Sequence, residues 1–172
     1  GNALAALQAG VKRIAAAVAG IGLQGHAAVE ELIMAQKRLL GEASKETGHL
    51  ALICSQILFA MGLTLPKTKA IIGQDIFAHE SGIHVDGVIK NPQMYEAFSP
   101  EEVGLTRQLV IGKHSGNASI QAKFRQWNIS MSDAHAQILL KQVRRLAVRQ
   151  KKQVDDHALW ELYQAIQVKQ EG

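Results

Sequence analysis

The densest chemistry in the sequence is the run Phe77-Ala78-His79-Glu80-Ser81-Gly82-Ile83-His84-Val85-Asp86-Gly87. It holds two histidines, a glutamate and an aspartate within eight positions. Imidazoles titrate near neutral pH, so either histidine can move protons. A neighbouring carboxylate can fix an imidazole's tautomer and raise its basicity. The run reads as a proton-transfer site, a metal site or a hydrogen-bonded loop, and spacing alone does not choose. His79 and His84 are five apart, unlike the i, i+4 pair of a helical zinc site. Tyr95, Lys113 and His114 follow within the same glycine-punctuated stretch, 74–116. Such polar segments between packed elements are where binding chemistry tends to sit.

Other candidates are weaker. Gly20-Ile21-Gly22-Leu23-Gln24-Gly25 precedes a helical pattern and could hold a phosphate at that helix's N-terminus. It fits no dinucleotide or P-loop motif, so a tight strand-to-helix turn is favoured. Cys54, flanked by Leu50, Ile53 and Leu58, reads as a buried core thiol rather than a nucleophile. Trp127 and Trp160 read as core or interface anchors.

The elements that must position these residues follow from periodicity. Ala3 to Gln8 is helix-forming, with Gly10 as its stop. Ile14 to Val18 suits a buried parallel strand. Ala27 to Leu40 and Leu50 to Met61 are apolar-faced helices, joined by a polar connection over 41–49. Pro66 marks a turn, and Ala70 to Gly73 is expected to be extended. After the irregular 74–116 stretch, helices are predicted from Ala118 to Trp127, from a Ser130 or Ser132 cap to Gln150, and after an Asp155 or Asp156 cap. Helix, strand, glycine loop, helix is the repeat of an α/β fold. The tail reads as a small helical bundle.

Composition bounds the class. The 172 residues are 47% hydrophobic and 20% charged, which excludes a disordered chain. No apolar run reaches the roughly 18 residues of a membrane helix. One cysteine excludes an internal disulfide and fits the cytoplasm. The net charge of +4 is mild. The basic excess at Lys141, Arg144, Arg145, Arg149, Lys151 and Lys152 reads as a solvated helix face, not a nucleic-acid site. The chain begins inside a helical pattern without Met, as a piece of something longer would.

The stretch from Gly73 to Pro92 with Tyr95-Glu96 resembles the segment that follows the barrel in homocitrate synthases. So do Pro100-Glu101-Glu102-Val103-Gly104 and Ile111-Gly112-Lys113-His114-Ser115-Gly116. These enzymes are grouped with isopropylmalate and citramalate synthases, which join acetyl-CoA to 2-oxo acids. Val85, where isopropylmalate synthases usually carry Gln, makes the likeness one to homocitrate synthase, of the nitrogenase-associated type.

The resemblance implies an α/β architecture. Residues 1–65 would be the C-terminal end of a TIM (β/α)8 barrel. Residues 66–117 would be a linker subdomain, and 118–172 a helical C-terminal subdomain. It implies condensation of acetyl-CoA with 2-oxoglutarate to homocitrate, followed by thioester hydrolysis. His84 takes the family's proton-transfer role, reaching into a partner's barrel in a swapped homodimer. His79, Glu80, Asp86 and Tyr95 would line or support the same pocket. A divalent metal (Mg, Mn or Zn) would polarise the 2-oxo acid. Its main ligands, an acidic residue and a His-x-His pair, would lie upstream of Gly1. The expected partner is therefore a second copy, or a chain supplying the barrel front, without which this chain should be inactive. The family's Gly-Glu-Arg-Ala-Gly-Asn-Ala loop becomes Gly22-Leu23-Gln24-Gly25-His26-Ala27. His26 falls where the family has an Asn close to the metal, and an imidazole there is a candidate ligand.

Overall fold

A computed structural model describes residues 1–22, 25–41 and 46–168. The substituted loop positions Leu23 and Gln24, and residues 42–45 of the polar connection, lie outside the described residues. The chain divides into two compact units, residues 1–77 with 98–106, and residues 78–97 with 107–172. The stretch 66–117 is thus shared between them.

In the first unit, α1 (Asn2–Gln8) ends at Ala9, and Gly10 takes φ +94°. The expected strand is much shorter than Ile14 to Val18. Only β1 (Ala16–Ala17) is paired as strand, in parallel with β2 (Ala27–Ala28) in the register Ala16↔Ala27 and Ala17↔Ala28. A 3-10 turn over Val18–Gly20 cuts it off, with Ala19 at φ +53°. The buried Glu30 carboxylate accepts the Ala19 N–H at 2.9 Å. A side chain has replaced a strand partner for that amide.

Helix α2 (Val29–Leu39) carries Glu30 and Glu31 in its first turn and Lys37 and Arg38 in its last. Both placements complement the helix dipole. Helix α3 (Leu50–Ala60) buries Ala51, Cys54 and Leu58. Ala51 and Cys54 join Ile72 in one small core; Met34, Phe77 and Val103 form another. The 70–73 stretch is not extended. Ile71 sits at φ +71°, and Gly73 donates its N–H to Lys69 O at 2.7 Å. A Cβ on Gly73 would lie 2.4 Å from Lys67 O, so the turn closes only around glycine.

In the second unit, β3 (Ala78–His79) pairs in parallel with β4 (Gln108–Leu109). Helix α4 (Gly82–Lys90) follows β3 and buries Val85 and Val88, three residues apart on one face. This helix is absent from the periodicity reading, because Gly82 and Gly87 masked a short amphipathic pattern.

The expected tail is present as α5 (Asn117–Gln126), α6 (Asp133–Gln150) and α7 (Asp156–Val168). Ser132 caps α6, accepting the His135 N–H at 3.3 Å, and Asp155 accepts the Ala158 N–H at 2.9 Å. Their core holds Ile120, Phe124, Leu139, Val143 and Leu159, all fully buried. The Phe124 ring packs against Trp127 at 4.9 Å and Tyr163 at 4.8 Å. Trp160 meets Trp127 edge to face at 5.8 Å from an exposed position. Among the described residues no helix is long and apolar enough to cross a membrane.

Candidate functional site

The 79–86 run does not converge on one point. It hands its four ionisable side chains to four different sets of neighbours. The reason is the chain's change of conformation at Ser81, from extended backbone to helix.

His79, at the end of β3, lies 3.3 Å through Nε2 from Glu96 Oε1. The Glu96 side chain is only 3% exposed. Arg107 grips the same carboxylate with two parallel bonds, Nε to Oε1 at 2.7 Å and Nη2 to Oε2 at 2.8 Å. Fork geometry of this kind is strong and directional. Burial pushes the Glu96 carboxyl up, but hydrogen bonds and charge from Arg107 and His79 outweigh it. The group is held below the usual carboxylate range. Glu96 and Arg107 were not singled out by sequence; only the place of Glu96 beside Tyr95 marked it.

Glu80 reaches the 112–116 loop. Its Oε1 accepts the His114 N–H at 3.0 Å, and a Cβ on Gly112 would lie 2.5 Å from that oxygen. The fully buried Ser115 hydroxyl accepts the Gly112 N–H at 2.9 Å. It lies 3.4 Å from the carbonyls of Glu80 and Val110, either of which can take its single proton. Arg144 Nη2 donates to Ser115 O at 2.7 Å, so one member of the basic face is a structural tie. Gly82 and Gly116 touch backbone to backbone. A Cβ on Gly82 would stand 2.9 Å from both Cα and N of Gly116. The two glycine-containing motifs read from sequence are therefore docked on each other.

His84 is exposed on α4, next to Tyr95, with ring centroids 5.1 Å apart and tilted by 50°. The Tyr95 ring comes this close to the helix because position 87 is glycine. A Cβ there would be 2.3 Å from Tyr95 Cε2. Asp86 pairs with Lys90 one turn on, at 2.6 Å. The structure thus brings His84 and Tyr95 together, while His79, Glu80 and Asp86 each engage other partners.

His26 belongs to the first unit. It lines a cleft of about 710 Å³ with Gly25, Ala28, Glu31 and Leu32, and its ring folds over Gly22. Among the described residues no three His, Cys, Asp or Glu side chains group as a metal site. The donor set a divalent ion needs is not present in the described part of this chain. Lys69 Nζ reaches the buried Glu30 at 3.3 Å and also pairs with Glu31. Burial lowers the Lys69 ammonium, but the two carboxylates raise it further. Burial and the Glu30 charge push the Cys54 thiol up to about 11, against a smaller opposing effect of Lys69. Burial and a raised thiol both disfavour the thiolate that a nucleophile needs.

Residues 71–151 match the family described as homocitrate synthase post-HMGL domain-like. The chain is 44% identical over 170 residues to 2-isopropylmalate synthase 2 of Caldanaerobacter subterraneus subsp. tengcongensis, covering 98% of this chain and 44% of the relative. It is 40% identical over 163 residues to homocitrate synthase 1 of a Nostoc species, covering 94% and 43%. It is 38% identical over 156 residues to homocitrate synthase AksA of Methanopyrus kandleri, covering 90% and 39%. The chain spans less than half the length of these curated relatives.

Proposed function

We propose that this chain is the C-terminal portion of an acyltransferase that condenses acetyl-CoA with 2-oxoglutarate to give homocitrate. The observation that carries this reading is the post-HMGL domain over 71–151, with His84 exposed on α4 beside Tyr95. Residues 1–65 are read as the end of a (β/α)8 barrel. Residues 66–117 and 118–172 are read as its two following subdomains. The order of β1, a glycine-containing loop and α2 supports a β-to-α barrel step. The likeness to nitrogenase-associated enzymes, and a cytoplasmic place, belong to the same proposal.

In the reaction, a methyl proton leaves acetyl-CoA and the enolate attacks the 2-oxo carbonyl. Water then cleaves the thioester and releases the coenzyme A thiol. His84 is the group on this chain suited to hold or move a proton in that sequence. Its exposure lets it enter a pocket formed by another polypeptide. Tyr95, seated on Gly87, orients the imidazole by ring contact. Glu80 and the Glu96–Arg107–His79 cluster hold α4 and the 112–116 loop in place. A divalent metal, when bound, would polarise the 2-oxo acid. The described residues do not provide its donor set, His26 being a single imidazole, and no step is assigned through it.

The partner is a second copy or a chain carrying the barrel front. Exposed Leu52, Phe59, Met61 and Leu63 in and after α3 support a further packing surface in the first unit. Phe59 is 84% exposed.

Thiol release from acetyl-CoA with 2-oxoglutarate and a divalent metal tests the proposal. The chain is assayed alone and mixed with the front half of a related barrel. Activity only in the mixture, lost in His84→Ala, is the expected result. No activity in a folded complex overturns it. A second reading, isopropylmalate or citramalate synthesis, draws on the 44% identity to a protein named 2-isopropylmalate synthase 2 and the 35% identity to one named putative (R)-citramalate synthase CimA. Preference for a branched 2-oxo acid or pyruvate in the same assay selects it.

A further inference from the structure

The proposed reaction leaves Lys113 and His114 unused, although their motif is among the most specific in the sequence. The structure gives them a setting. Lys113, His114, Lys151 and Lys152 line one cleft of about 420 Å³, with Glu80, Ala147, Val148 and Gln153. The cations come from two separate elements: the 112–116 loop and the turn that ends α6, where Lys151 adopts φ +52°.

Both elements are fixed. Glu80 and Ser115 hold the loop from inside, and Arg144 of α6 ties its Ser115 carbonyl to that helix. Lysines clustered in this way repel one another, so a cleft lined with them favours an anion. The charges opposing an anion are Glu80 and the carbonyl end of α6. The Glu80 carboxylate turns its Oε1 to the His114 N–H. The helix end carries about half a negative charge. Three ammonium groups against these leave the cleft net positive by roughly one and a half charges, and by more when His114 is protonated.

The cleft also has an apolar wall. Ala147 is buried beneath it, and Val148 is 60% exposed beside it. A cationic rim next to a small apolar wall suits a ligand with phosphate at one end and a flat, weakly polar body at the other. The volume is within the range of small-ligand sites.

We infer that this cleft binds the phosphate-bearing end of a nucleotide, with its phosphates on Lys113, Lys151 and Lys152 and its body along Ala147 and Val148. Two sources share that chemistry: the nucleotide portion of coenzyme A, and a free nucleotide. The coenzyme A source rests on the function proposed above; the anion site does not.

Isothermal titration of the full chain with coenzyme A, ADP and inorganic pyrophosphate, each alone, tests the inference. No 2-oxo acid or metal is added, so failure of the condensation reading leaves this measurement intact. Saturable binding of ADP or coenzyme A, weakening as salt rises, is expected. Lys113→Gln and Lys152→Gln should each weaken it roughly two- to fivefold. Lys113→Arg should retain it, and Lys141→Gln, on the same helix as Val148 but not lining the cleft, should leave it unchanged. Tighter binding of coenzyme A than ADP assigns the source to coenzyme A; equal or weaker binding assigns it to a free nucleotide. Three results overturn the inference: no saturable binding of either, equal binding in the Gln variants with unchanged circular dichroism, or pyrophosphate binding as tightly as both.

Discussion

His79 and His84 stand five residues apart in one motif, and their surroundings are opposites. His79 ends a strand against a buried carboxylate that Arg107 also holds. His84 lies on a helix surface with one aromatic neighbour. The first region is scaffold, in which each charge is answered internally. The second is open and keeps its imidazole available. Density of chemical residues in a sequence is therefore not density in space. The extended-to-helical switch at Ser81 is enough to scatter them. Within the helix, positions 84 and 86 already point about 200° apart.

The comparison breaks most readily at Arg107. If the His79 region is scaffold, Arg107→Ala leaves the Glu96 carboxylate buried without its main partner. The expected loss is about 3–5 kcal/mol in denaturant unfolding. Adding Glu96→Gln should recover part of that, because the stranded charge is gone. A loss below about 1 kcal/mol, the range of an exposed ion pair, would place Glu96 outside the scaffold.

Acid should reach the same cluster less severely. Glu96 has its folded-state proton affinity depressed by Arg107 and His79, despite burial. Its stabilising contribution is therefore complete above the ordinary glutamate range, near pH ~4.3. It is lost as pH falls through the lower folded value. Melting temperature measured from pH 6 to 3 should fall in the acid limb, and fall less in Glu96→Gln. Identical acid limbs would show that other carboxylates set the decline.

How much of this was legible depended on period and on partner distance. The tail helices were legible because Ile120, Phe124, Leu139 and Val143 repeat at helical spacing over long stretches. Helix α4 was not, because nine residues with glycine at two positions give too short a pattern. The strand expected over Ile14 to Val18 is paired only at Ala16–Ala17. Its apolar run is real, but Ala19 turns away to reach Glu30, eleven residues on, and no local pattern encodes that bond. The cluster 79–86 was legible as chemistry, yet its division was not. Glu96 and Arg107 act across 17 residues and 11 residues respectively, through a strand pairing the sequence did not announce.

The contact between motifs gives an intermediate test. Gly82→Ala drives a methyl group into the Gly116 backbone, which lacks a flexible side chain to yield. The expected cost is about 1–3 kcal/mol, that of overpacking. Hydrogen exchange should rise at the Gly82 amide, which now donates to His114 O at 3.4 Å. Neutral behaviour would mean that the two loops separate freely, and that α4 does not depend on the 112–116 segment for its position.

The smallest expected effect is the one that sharpens the comparison. His84→Ala removes an exposed side chain that packs beside the Tyr95 ring. Stability should change by less than about 0.5 kcal/mol. The counterpart, His79→Ala, should cost about 0.5–1.5 kcal/mol, because it takes one hydrogen bond from a buried acceptor. If both variants unfold at the same denaturant midpoint, the division between scaffold and open region is wrong. If they differ as stated, the histidine that stability does not need is the one on the helix. The Tyr95 ring reaches His84 across a position that carries no Cβ, Gly87, and the proton-transfer role proposed for His84 requires that open setting rather than a contribution to folding.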